Sequence, residues 1–439
     1  MKQGFSGQKK GFRVQGLGFS IFARTLGGPP ALLVWTVLGS FLGGARASDE
    51  WPQFRGPDGQ GHAPQADPPL EWSETSNVVW RTPIPGLGWS SPVVGGRQIW
   101  LTTAHEPSRT LRAICIDRAT GRVMHDLEIF RPAELPRVAA KNSHASPTPV
   151  LDGNYLYVHF GSQGTACLAR DGQVIWRTQL EYDQHHGSGG SPVVWRDLLI
   201  VQCDGYEMQS TVALDKRTGE VRWRQPLDVE MAYSTPLLVP VGAAEQLICV
   251  SGRAIVGRDP ASGRELWRYR HDGHSVVPRP VFGHGLIYVC SGYWTPRLYA
   301  LRAGGQGDVT ETHLAWSARR GVPHTPSPLL VGDELYLASD MGVVTCLDAR
   351  TGQEHWRQRF SGAFSASPVE AAGRIYFTNE EGTTFVVSPG SQYELLAVNQ
   401  VAGRVLATPA CAGRSLFLRT DTTLYHIQDT ATAASTARP

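Results

Sequence analysis

Eight times the chain writes a short polar stretch, a proline and an apolar run. The prolines are Pro92, Pro149, Pro192, Pro236, Pro280, Pro328, Pro368 and Pro409, spaced by about 44 residues. Proline brings no backbone N–H, which is tolerated at the first residue of a strand. Each copy continues with a turn, an aromatic-rich strand such as "ELYLAS" (Glu334–Ser339) and a third strand such as "VVTCLDA" (Val343–Ala349). A fourth segment then repeats almost letter for letter: "ALDKRTGEVRW" ends at Trp223 and "CLDARTGQEHW" at Trp356. Within it, an aspartate caps the turn through its side chain. A glycine such as Gly352 supplies positive φ without a Cβ penalty, and the tryptophan falls on the strand that follows.

Four short strands cannot bury both of their faces alone, so neighbouring units must cover one another. A four-stranded repeat of this length is a propeller blade. With 48 Gly and 30 Pro in 439 residues, the composition also argues against a helical protein. The sequence therefore predicts an all-β, eight-bladed propeller over residues 77–428. The last blade lacks a fourth strand. "NVVWRTPI" (Asn77–Ile84) is a spare fourth strand at the other end of the chain and is expected to complete that blade, which leaves no open sheet edge. Residues 48–76 then form an arm crossing to it, and 429–439 a disordered tail. Trp80, Trp176, Trp223, Trp267, Trp316 and Trp356 are expected to dock each blade on the next. His125 stands where blade 1 should have its tryptophan.

The first 47 residues carry Lys2, Lys9, Lys10, Arg13, Arg24 and Arg46 and no acid, followed by the apolar run Ala31–Gly44 and "ARA". That order reads as a cleavable secretory signal peptide. The remainder is slightly acidic and has no basic stripe for nucleic acid. It has no second long apolar run, so no stable membrane insertion is expected after cleavage. The seven cysteines sit at related places within the repeats, such as "ICID", "ACLA" and "TCLD". They read as buried small hydrophobes.

The D-x-x-T-G-x-x-x-W turn joined to S/T-P-V strands resembles the tryptophan-docking repeats of the pyrroloquinoline-quinone (PQQ) propeller family, which also occur in BamB-like assembly proteins. "WPQFRGPDGQGHA" (Trp51–Ala63) resembles the opening of an exported planctomycete-type subfamily. For enzymes of this fold the resemblance implies PQQ and calcium in the central funnel. Their adjacent Cys-Cys pair is absent here, as is a C-x-x-C-H haem site. For BamB-like members it implies a scaffold working through rim loops. The expectation is thus an exported, monomeric propeller of the periplasm or envelope, with no catalytic residues and no cofactor. Its partner is expected to be an envelope or extracellular protein or a glycan. The alternative is a quinoprotein-like or metal-dependent oxidoreductase with PQQ and Ca²⁺ or a His-bound transition metal.

Loops entering the first strand of each blade converge on the channel mouth in a propeller. They carry Trp89, His144, His186, Tyr233, His274, Arg279 and His324 as candidate ligand-binding residues. Among these, His144, His186, His274 and His324 form a candidate zinc or copper set.

Overall fold

The computed structural model describes residues 49–430 apart from Glu207, Asp228 and Val229. The expected signal peptide, and all but the first two residues of the expected tail, lie outside the described residues. The described chain forms eight sheets, six of four strands and two of five. Each sheet is built on a four-stranded antiparallel blade. Blade 6 shows the pattern: Leu329–Val331 lies innermost, followed by Glu334–Ala338, Val343–Asp348 and Glu354–Arg359. Leu329 faces Tyr336, Tyr336 faces Cys346, and Cys346 faces Trp356. One line of large side chains therefore crosses the blade on one face, and all four are buried. The two intervening hairpins and the repeat turn hold that register.

The repeat turn is built as its letters predict. Asp348 Oδ1 accepts from the backbone N–H of Arg350 and Thr351 and from the Thr351 hydroxyl. Gly352 sits at φ 75° and donates its N–H to the Asp348 carbonyl. Asp117 is bound in the same way by Ala119 and Thr120. The absent Cβ has a second use here. A Cβ on Gly352 would lie 2.5 Å from Trp316 Cε3, and one on Gly121 would lie 2.7 Å from Trp80. The tryptophan of one blade thus lies on the glycine of the next. Trp80, Trp176, Trp316 and Trp356 also donate their Nε1–H to a backbone carbonyl of the following blade. Trp223 packs on Gly263 in the same way, but its Nε1–H meets no protein acceptor. In blade 1, His125 takes the place, with Gly172 of blade 2 beside it.

Trp267 departs from the pattern. It lies over Gly257 of its own blade and donates to Gln246 Oε1 at 2.8 Å. The turn it would have met is replaced by an insertion in blade 5. Gly307–Asp308 of that insertion pairs in parallel with Trp267–Arg268, adding a fifth strand to blade 4. The other five-stranded blade gains His62–Ala63 beside Glu370–Ala371.

Closure follows the sequence reading. Val78–Pro83 pairs antiparallel with Thr423–Gln428, bringing Trp80 opposite His426. The strand after the arm and the last strand of the described chain share one blade, so the ring has no free seam. The seven cysteines are buried, unbridged thiols. Among the described residues no helix is long and apolar enough to cross a membrane.

Candidate binding site

The residues before the eight prolines meet around the axis. Ser91 N–H donates to Thr148 Oγ1, Thr148 N–H to Ser191 Oγ, and Ser191 N–H to Thr235 Oγ1, each at 2.9–3.0 Å. Arg279 N–H donates to Ser327 Oγ, Ser327 N–H to Ser367 Oγ, and Ser367 N–H to Thr408 Oγ1, each at 3.0 Å. A hydroxyl precedes the proline because it receives the backbone N–H of the preceding blade. These groups are buried, so an unmade bond here would be costly. Blade 5 alone has Arg279 in place of the hydroxyl residue.

Arg279 has a different task from the one its loop suggested. It is 2% exposed and does not line the open mouth. Its Nη1 donates to the Phe54 carbonyl at 2.8 Å and its Nη2 to the Pro236 carbonyl at 2.9 Å. Arg55, fully buried, donates to the carbonyls of Pro328 and Gln60 at 2.6 and 2.7 Å. Burial draws both guanidiniums below their ordinary range, Arg55 to about 9 and Arg279 to about 10. Arg55 belongs to the segment Trp51–Ala63, which Arg279 holds from blade 5. Trp51 bridges to Val94, and the Pro52 carbonyl accepts from Leu151 N–H. Gln60 Oε1 accepts from Phe282 N–H, and His62 Nε2 bonds the Leu330 carbonyl at 2.6 Å. The arm is therefore more than a crossing. It plugs one end of the channel and ties blades 1, 2, 5, 6 and 7 together there. The sequence signal for it was the single arginine in the hydroxyl series.

The other end stays open. A cavity of about 440 Å³ lies there, with Phe54 of the plug and the Ser/Thr ring among its lining. Trp89, His186, Tyr233 and His274 line it, as the loop reading expected; His144 and His324 do not. His144 is buried, which lowers its pKa, and stands 4.0 Å from Glu106. His324 stacks on Tyr293 with ring centres 4.6 Å apart. Its backbone N–H donates to Asp340 Oδ2. The four histidines are thus dispersed. Among the described residues no three His, Cys, Asp or Glu side chains are grouped to hold a metal ion.

Two features were not expected. The hairpin Ser291–Arg297 of blade 5 brings Tyr293 and Trp294 to the cavity. Trp294 stacks on His274 at 3.9 Å with the rings 6° from parallel. His274 Nδ1 in turn bonds Glu230 Oε2 at 2.8 Å. Second, the long loop after blade 1 folds over the mouth. Ala139 N–H and the Asn142 amide both donate to the His186 carbonyl, and Lys141 pairs with Glu380 at 2.7 Å. Burial alone would raise the Glu380 carboxyl. Hydrogen bonds from Lys141, Ser365 and Arg404 bring it below the ordinary range. Burial, then His185 and His274, lowers His186.

A family profile described as outer membrane protein assembly factor BamB matches residues 70–211, 208–306 and 308–435. The chain belongs to this PQQ-like, BamB-like family. It is 22% identical to BamB of Yersinia pestis over 347 residues, covering 78% of this chain and 75% of that one. It is 30% identical to BamB of Burkholderia pseudomallei over 115 residues, 26% of this chain and 29% of the relative. Over 234 residues it is 22% identical to a tetrathionate hydrolase of Acidithiobacillus ferrooxidans, half of this chain and 44% of the enzyme. The match thus spans less than half the length of two of these relatives. Among solved structures, BamB of Moraxella catarrhalis superposes with a TM-score of 0.58 at 14% identity, covering 80% of this chain and 97% of that one. A europium-containing methanol dehydrogenase superposes with a TM-score of 0.64 at 11% identity, covering 88% and 92%. Both likenesses are of fold.

PQQ with calcium fits the lining poorly. A hard cation takes several carboxylate or carbonyl oxygens, and among the described residues no Asp or Glu lines the cavity. Glu230 and Glu380 beside the cavity are already bound by Arg253 and His274 and by Lys141 and Arg404, and Asp340 accepts from the His324 and Thr325 backbone.

Proposed function

We propose that this protein is an exported, non-catalytic propeller scaffold that binds a partner of the cell envelope through its open mouth. The observation that carries the reading is the asymmetry of the channel. One end is sealed by a segment held on buried arginines, and the other presents a concave aromatic cavity of ligand size. The Ser365 hydroxyl does donate to Glu380, but that carboxylate is already paired with Lys141 and Arg404, and the hydroxyls of the ring are engaged in joining blades. Membership of a family described by outer-membrane assembly supports an envelope setting. The basic, apolar, A-x-A order of the first 47 residues supports export.

A quinoprotein-like oxidoreductase is the competing reading, and the methanol dehydrogenase likeness in fold favours keeping it under test. Thermal melts of the purified protein with PQQ and Ca²⁺ separate the two. The scaffold reading expects an unchanged midpoint with either or both. A saturable rise that requires both together would overturn it.

A further inference from the structure

We infer that the ligand of the mouth is a neutral saccharide, bound by stacking on Trp294 and by the hydroxyl ring below. This inference rests on the binding reading above and names the ligand class.

Charge comes first. Lys141 is the one Lys or Arg side chain among the described cavity-lining residues, and it is paired with Glu380, which it shares with Arg404. Among the described residues no acid lines the cavity, and burial with neighbouring imidazoles keeps His186 toward its neutral form. An ionic ligand would meet no charge that is not already paired within the protein, while a polyhydroxylated neutral one requires none.

Hydrogen bonding comes second. Thr148, Ser191, Thr235, Ser327, Ser367 and Thr408 each accept one backbone N–H through the side-chain oxygen. A hydroxyl that accepts still has its own proton to donate. All six line the cavity, so its base is a ring of donors fixed in position by the blades. Sugar hydroxyl and ring oxygens are acceptors for such a ring.

Shape comes third. Trp294 is 70% exposed yet held flat on His274. Its backbone lies at φ 71°, which is unfavourable for a bulky residue. Strain of that kind collects at ligand clamps. The indole has one face on His274 and the other toward solvent, which suits the apolar C–H face of a pyranose ring. Phe54, Trp89, Tyr233 and Tyr293 add aromatic surface to the cavity. A peptide captured as an added strand would need a longer edge. Most of the inner strands facing the channel, such as Val93–Gly95 and Val281–Gly283, are three residues long.

Titration calorimetry of the purified full chain with maltohexaose, cellohexaose and chitohexaose tests this. The expected result is saturable binding of at least one. That binding should weaken at least tenfold in Trp294→Ala and stay within about threefold in Trp294→Tyr. Because the side chain is exposed, Trp294→Ala should melt with the unaltered protein, so a loss reports on the ligand. No binding of any of the three, or binding indifferent to Trp294→Ala, overturns the inference. A protein cross-linked at the mouth, with no response to the oligosaccharides, would overturn the saccharide and leave the binding reading standing.

Discussion

Arg279 donates its Nη1–H to the carbonyl of Phe54 at 2.8 Å across 225 residues of chain. The same guanidinium reaches the Pro236 carbonyl at 2.9 Å. One buried side chain thus holds the plug against blade 4 from its seat in blade 5. Arg279→Ala should lower stability by about 3 kcal/mol, since two buried carbonyls lose charged donors. Arg279→Lys should recover only part of the loss, because an ammonium lacks the planar fork that spans both carbonyls. Urea unfolding of the two variants measures this. Equal stability of Arg279→Ala and the unaltered protein would refute the assignment.

Two glycines separate backbone strain from docking. Gly352 and Gly373 both have positive φ, at 75° and 67°. A Cβ on Gly373 would meet nothing, whereas one on Gly352 would strike Trp316. Gly373→Ala should cost about 1 kcal/mol from its backbone alone. Gly352→Ala should cost about 2 kcal/mol more through overpacking. Matched melting temperatures for the two would show that Trp316 does not depend on that glycine.

Thr148 links three blades, accepting from Ser91 N–H and donating its own N–H to Ser191 Oγ. Thr148→Val keeps the shape and removes the acceptor, leaving the Ser91 N–H unpaired inside the protein. The expected cost is about 1–3 kcal/mol, with Thr148→Ser close to neutral. Denaturant midpoints of the pair decide the point, and a neutral Thr148→Val would count against the ring.

Acid should weaken the fold through buried histidines. Burial lowers His159, His271 and His426 to about 4, against about 6.5 when unfolded. Between those values the unfolded chain binds protons that the folded one refuses, so stability falls as pH drops from 6.5 to 4 and is level above 6.5. Each group contributes on the order of 3 kcal/mol at the acid end. His159→Gln should flatten the slope in unfolding curves at pH 7, 5.5 and 4.5. An unchanged slope would remove His159 from the explanation.

The architecture was readable because each blade solves the same local problem with the same letters. Asp348, Thr351, Gly352 and Trp356 report a turn and a dock wherever they recur, and the spare strand around Trp80 reports closure. Trp267 was less legible: its partner turn is replaced by an insertion whose pairing depends on long-range geometry. The site was partly legible. Trp89, His186, Tyr233 and His274 follow from where first-strand loops converge. Arg279 shares that loop position, but its side chain turns inward to the plug, an orientation no local pattern encodes. Tyr293 and Trp294 were missed because they sit on a hairpin between the second and third strands, outside the repeated motif. The two kinds of loop share one face of the ring only once the strands are laid out.

The measurement that bears most directly on a one-ended binding propeller is site-specific photocross-linking in the native host, with the full chain. A photoreactive residue replaces Met341, exposed next to the Asp340 that holds the His324 and Thr325 backbone at the mouth, or Gln65 beside the plug. Covalent adducts of a discrete partner from position 341, with none from 65, are expected. Adducts from position 65 alone, or from neither, would contradict binding at the open mouth.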